Sequence, residues 1–399
     1  MILGTLASPS AQPATTPFTA ASRADAPSGP APVDVRESRN RDGDLPSASL
    51  WHRIGGLDLA HPTFLGTMGL ANAGGAAAGA VCGAILGTPA LGAAIGGVLG
   101  GGLLAAYGLY AGAVGARQVE HPPRYRPDTA PPVKSYPPDP HVKLGTHANS
   151  PADLGWAFSN ISFSSHGTPL KGWYIPCDTP TSKTVVFVQG HGDDKRTFLA
   201  RHCSYLHEKY NVVALDLRNQ GESGGSTTTM GYYERDDVLA AVDYARTTLG
   251  TTDIGVMGLS MGGATVLEAA AVSPDVKAVI SDSPYATVSG QVADAAKVRH
   301  YPLSRFVGWA TSAKIGWDVG HPLRTHDPLR AVPQMKQPLL LIHGDADDYV
   351  LPRNSECLQN ARPLDTERWL VHGARHVQSD LVAKDEYKRR IQEFFDKNL

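Results

Sequence analysis

Between Pro151 and Leu399 the chain carries a series of short apolar runs, and their spacing restricts the possible folds more than any other feature. The runs are Thr184–Gln189, Val212–Leu217, Ile254–Gly258, Val276–Ser281 and Leu339–His343. Each is nearly continuous in aliphatic and β-branched residues instead of alternating with polar ones, as strands buried on both faces are. Amphipathic stretches near Lys195–Lys209, Tyr233–Leu249, Met261–Ser273 and Pro352–Ala361 separate them and suit helices. Strands alternating with helices predict an α/β fold, a mostly parallel sheet covered on both faces. Ala157–Ser164 and Leu170–Ile175 flank His166-Gly167-Thr168 and read as an antiparallel hairpin at the sheet edge. The stretch Thr287–Gln337 breaks the rhythm and is expected to form a mostly helical lid.

The N-terminal part is of a different kind. Residues 1–58 are rich in Ala, Pro, Ser and Thr without an apolar period, so they are expected to be a disordered tail. Met1–Leu6 lacks a basic leader region, which makes the start a poor secretory signal. Residues 59–116 contain no Asp, Glu, Lys or Arg at all. A membrane-spanning helix needs about 20 apolar residues. There is room for two, broken at Thr88-Pro89, over Phe64–Gly87 and Ala90–Ala116. Gly75, Gly79, Gly83 and Gly87 recur at every fourth position, as do Gly92, Gly96 and Gly100. That spacing puts them on one helical face, where two backbones can approach closely. A Gly/Ala segment that is merely flexible is the bland alternative, since Gly is poor helix material in water. The missing charge favours a transmembrane hairpin that contacts lipid through residues 64–116, and its glycine faces would also suit self-association. Residues 117–150 are Pro-rich and expected to be an extended linker that holds residues 151–399 off the bilayer. The chain is then membrane-associated, on a side the flanking arginines do not decide.

Lys+Arg 36 against Asp+Glu 38 leaves a formal net charge of −2, so no basic footprint for nucleic acid exists. Cys82, Cys177, Cys203 and Cys357 are scattered, without the paired spacing of a zinc site.

The chemistry gathers around Gly258-Leu259-Ser260-Met261-Gly262, which follows a predicted strand and precedes a predicted helix. A serine on such a sharp turn is presented above the sheet at a helix N-terminus, where positive potential favours a developing oxyanion. A Gly-rich packing turn with a capping serine is the alternative. A serine nucleophile needs a base, and the base an orienting acid. Asp345, Asp347 and Asp348 cluster after the strand at Leu339, and lack the Gly and Glu spacing of an EF-hand, so no metal is expected. His372 and His376 follow Trp369-Leu370-Val371. His376 is the candidate base, and His372, which abuts that strand and reads as support for the turn, is its competitor.

On these residues the region 151–399 resembles the α/β-hydrolase superfamily. Gln189-Gly190-His191-Gly192 is similar to its H-G-x-G oxyanion loop, with Gln189 in the usual place of a His. Asp216-Leu217-Arg218-Asn219-Gln220-Gly221-Glu222-Ser223 resembles its D-x-R-x-x-G-x-S segment, and Gly344-Asp345-Ala346-Asp347 with Val350 its G-x-x-D-x-x-V acid motif. Ser150–Gly155 and Leu170–Pro176 are similar to membrane-anchored bacterial hydrolases related to depalmitoylase-like proteins. The resemblance implies an α/β-hydrolase fold and a triad of Ser260, Asp347 and His376. It also implies an oxyanion hole made by the backbone N–H groups of His191 and Met261. No cofactor is implied, and the substrate would be a small or acyl-chain ester or thioester. A peptidase or lipid hydrolase would use the same triad. A membrane scaffold with a non-catalytic hydrolase domain would be expected to lack part of it.

Overall fold

The computed structural model describes residues 70–78, 80–81, 88–122, 148–201 and 203–399. The expected tail at 1–58, the positions Gly79, Gly83 and Gly87, and most of the expected linker lie outside the described residues.

The first long helix is α1, Pro89–Glu120. Pro89 occupies its first turn, where a missing N–H costs nothing and the fixed φ suits the helix. It runs past the expected end at Ala116, because no breaker occurs before His121-Pro122. Residues 117–120 are therefore helix and not linker.

The catalytic part is an eight-stranded sheet in the order β1-β2-β4-β3-β5-β6-β7-β8. The strands are β1 Ser159–Ser165, β2 Thr168–Ile175, β3 Lys183–Val188, β4 Asn211–Asp216, β5 Asp253–Leu259, β6 Val276–Asp282, β7 Leu339–Gly344 and β8 Thr366–Val371. β2 is antiparallel to both β1 and β4, and the remaining pairs are parallel. Alternation along each strand feeds two cores. Val186, Val188, Val213 and Leu215 pack on one face of the sheet, against α2 (Glu234–Thr247) and α3 (Met261–Val272). Val185, Phe187, Val212 and Ala214 pack on the other, with Phe394 and Phe395 of the last helix, Lys384–Asn398. Burying each such side chain contributes about 1.5–3 kcal/mol, which is why these strands carry almost no polar residues.

The insertion between β6 and β7 is mostly helical, as expected, and its main elements are α4 (Val288–Val298) and α5 (Ser304–Val319). It is not held away from α1. The expected linker would have separated the apolar helix from the catalytic part, but the C-terminal half of α1 lies on α5. A second glycine face makes this possible, at Gly108, Gly112 and Gly115. A Cβ on Gly108 would meet the Phe306 ring at 2.7 Å, and one on Gly112 would meet the Ala310 carbonyl at 2.8 Å. Earlier in the helix, Gly96 and Gly100 approach the helical stretch at residues 70–78, with Gly100 Cα 3.2 Å from where a Gly75 Cβ would stand. Gly102, by contrast, has nothing within 4 Å of a built Cβ. Gly112→Leu should therefore destabilise the chain by about 1–3 kcal/mol through overpacking, whereas Gly102→Leu should not. Thermal unfolding of the two variants checks this, and equal melting temperatures would contradict the packing.

Candidate active site

Ser260 sits between β5 and α3 at φ 54° and ψ −117°, a conformation that side-chain-bearing residues rarely adopt. Its N–H donates to the Asp282 carbonyl at 2.8 Å, which fixes the turn to the neighbouring strand end. The turn is this tight because Gly262 lets the helix start press on β3. A Cβ there would come within 2.3 Å of the Gln189 carbonyl oxygen. The strain, of order 1–3 kcal/mol, is held in place by that surrounding packing.

The serine points at His376, whose Nε2 lies 2.9 Å from Ser260 Oγ. On its other side His376 Nδ1 lies 2.8 Å from Asp347 Oδ2. The loop after β7 supplies the acid and the loop after β8 the histidine, so adjacent parallel strands deliver both to one end of the sheet. Asp347 is buried, and its Oδ1 accepts from the N–H groups of Tyr349 and Val350 at 3.0 and 2.8 Å. Burial alone would raise its carboxyl. The charge of His376 and hydrogen bonds from His343 and His376 outweigh it and hold the group well below the usual carboxylate range. The stability this contributes is present above the ordinary Asp value and is lost as the pH falls below it.

The neighbouring carboxylates are occupied elsewhere. Asp345 accepts from exposed His372 at 2.7 Å and from the Gly373 N–H at 2.6 Å, and Asp348 accepts from Arg375 at 3.0 Å. Of the residues expected at the site, Ser260, His376 and Asp347 thus come together, while His372 pairs with Asp345 at the surface.

The loop after β3 runs alongside the serine. A Cβ on Gly190 would stand 3.4 Å from that of Ser260. This brings the loop up to the serine at Gly190, while Met261, the residue after the serine, has an N–H in the first turn of α3 with no intrahelical acceptor. The departure at Gln189 is accommodated. With its amide oriented to suit its neighbours, Gln189 donates to the Leu215 carbonyl at 2.5 Å and accepts from the Leu217 N–H at 3.1 Å. Gln220 likewise donates to the carbonyls of Gly190 and Asp193, both at 2.9 Å. Sequence reasoning did not single out Gln220, although it stands inside the quoted D-x-R-x-x-G-x-S segment. The charged residues of that segment have structural partners. Asp216 accepts from Lys195, and Arg218 donates to Asp237. The His191 ring reaches away from the serine, its Nε2 2.7 Å from the Val119 carbonyl at the end of α1.

Asp193 also escaped the sequence reading. Burial raises its carboxyl to about 6, against the lowering pull of Arg201 and His376. Between the ordinary value of 3.8 and about 6 the folded chain holds a proton there that the unfolded chain releases, so stability falls as pH rises through that window. Asp193→Asn should therefore raise the melting temperature more at pH 7 than at pH 4. An equal change at both would show that this carboxyl does not titrate in that window.

A family profile described as the alpha/beta hydrolase fold matches residues 183–327, from β3 through the nucleophile turn and most of the insertion. An esterase of Pyrococcus furiosus, Pf2001, superposes with a TM-score of 0.54 at 25% identity, covering 64% of this chain and 98% of its own. Over this region the chain has the α/β-hydrolase fold. Among curated relatives, the uncharacterised protein YqkD of Bacillus subtilis is 27% identical over 58% of this chain and 77% of its own length. The alpha/beta hydrolase domain-containing protein WAV2 of Arabidopsis thaliana is 27% identical over 60% of this chain and 82% of its own. The α/β-hydrolase fold, with an esterase among the structural neighbours, supports an enzyme of the hydrolase class.

Proposed function

We propose that this α/β-hydrolase is a serine hydrolase that cleaves carboxylic esters or thioesters through an acyl-serine intermediate. The observation that carries the reading is the unbroken hydrogen-bonded line from Ser260 through His376 to buried Asp347. Ser260 Oγ attacks the acyl carbonyl while His376 Nε2 takes its proton, and Asp347 holds the imidazole in the tautomer that can do so. The oxyanion is received by the backbone N–H groups of Met261 and His191. One such donor is worth about 2.7–4 kcal/mol of transition-state stabilisation. His376 then returns the proton to the leaving alcohol or thiol, and water attacks the acyl-serine with the same base. The steps use only these groups and water.

The apolar helix supports membrane attachment. Ala93–Glu120 is long and apolar enough to cross a bilayer, with a mean hydropathy of 1.4, and only 17% of its most apolar window is buried. A core helix of a water-soluble protein would be covered along its length; here the first half is largely open, and the half carrying Gly108, Gly112 and Gly115 is packed, against α5. Full-length chain should pellet with membranes and stay there through carbonate extraction.

A series of esters and thioesters from acetyl to palmitoyl tests the substrate class. Hydrolysis of at least one member, lost in Ser260→Ala, is the expected outcome. No hydrolysis across the series, alongside cleavage of peptides, would replace the reading.

A further inference from the structure

The turn between α4 and α5 reads Lys297-Val298-Arg299-His300-Tyr301-Pro302-Leu303-Ser304-Arg305. Its apolar members are exposed, Val298 by 64%, Tyr301 by 44% and Leu303 by 54%. Leu303 is held there with φ 52°, a backbone cost that buries nothing. Its cations Lys297, Arg299 and Arg305 are exposed as well, and among the described residues none has a carboxylate partner. There is no Asp or Glu from Ala295 to Trp317, and the nearest acid before the turn, Asp294, is engaged by Arg353 at 2.5 Å.

This turn adjoins the exposed face of α1. The Tyr107 hydroxyl donates to the Pro302 carbonyl at 2.7 Å, and Ala111 packs with Ala296 and Val307. Leu103 and Tyr110, one turn before and one turn after Tyr107 on the same helix face, are exposed by 73% and 69%. An apolar surface therefore continues from the helix onto the catalytic part and ends in a fringe of unopposed cations.

We infer that the turn Lys297–Arg305 is a bilayer-docking surface that seats the catalytic part on an anionic membrane. Apolar side chains and a tyrosine suit the boundary between headgroups and acyl chains, and lysine and arginine suit the anionic headgroups above it. The inference rests on the membrane reading of α1 and goes beyond it: the catalytic part lies down on the bilayer instead of standing off it on a linker.

The test uses the full chain with an environment-sensitive fluorescent amino acid in place of Tyr301, mixed with vesicles of two parts phosphatidylcholine to one part phosphatidylglycerol. The same probe in place of Leu364, which is 94% exposed before β8 at the opposite ends of the strands, is the control. Emission should shift to the blue at position 301 and stay unchanged at 364. In a Lys297→Glu, Arg299→Glu, Arg305→Glu chain the docking equilibrium constant should fall by at least about fivefold for each cation reversed. An emission at 301 that vesicles leave unchanged overturns the docking, as does a shift that charge reversal does not weaken. Carbonate extraction of the same samples separates the two readings. A chain that is released while 301 still shifts loses only the anchor, and a retained chain without the shift loses only the docking.

Discussion

Ser260→Ala should lower ester hydrolysis by about 10⁶-fold, the scale on which loss of a serine nucleophile acts when its partners cannot substitute for it. The fold should survive. The side chain's hydrogen bond is to His376 alone among the described residues, and removing one hydroxyl leaves the turn's packing on Gly262 untouched. Circular dichroism and melting temperature establish that the variant is folded before its rate is read. A folded variant retaining a hundredth of the activity would mean that another group attacks the ester.

Asp347→Asn is expected to be the next most damaging change, at about 10⁴-fold in turnover, because an amide offers His376 Nδ1 the wrong partner and favours the unproductive tautomer. Asp345→Asn and Asp348→Asn remove surface pairs with His372 and Arg375 and should cost less than about tenfold. The contrast is sharp because the three carboxylates are neighbours in sequence, yet only one reaches the histidine. A greater loss at Asp345 than at Asp347 would move the orienting acid two residues upstream.

Much of this was legible in the sequence, for identifiable reasons. Strands buried on both faces write themselves as apolar runs, so β3 to β7 were found nearly to the residue, and the serine turn was legible because its glycines leave no alternative backbone. The acid among three aspartates was not decided by spacing. It depends on which carboxylate the β7–β8 pairing turns towards His376, a tertiary fact that only the resemblance anticipated. The supports were invisible for the same reason. Gln220 holds the oxyanion loop from the segment after β4, and Asp193 is buried beside Arg201 and His376, contacts across the chain that no local pattern records. The apolar helix was recognised by its missing charge, but its docking on α5 was not, since Gly108, Gly112 and Gly115 follow a seven-residue pattern that fades among so many other glycines. A linker drawn from composition could not reveal that the helix end would meet His191.

The central claim is that Ser260 is the residue that takes the acyl group. The most direct measurement is to label the full chain with a fluorophosphonate, digest it and locate the adduct by mass spectrometry. One adduct per chain on the peptide carrying Ser260, prevented by His376→Ala, is the predicted result. Labelling at another residue, or no labelling of folded protein that still hydrolyses esters, would contradict it.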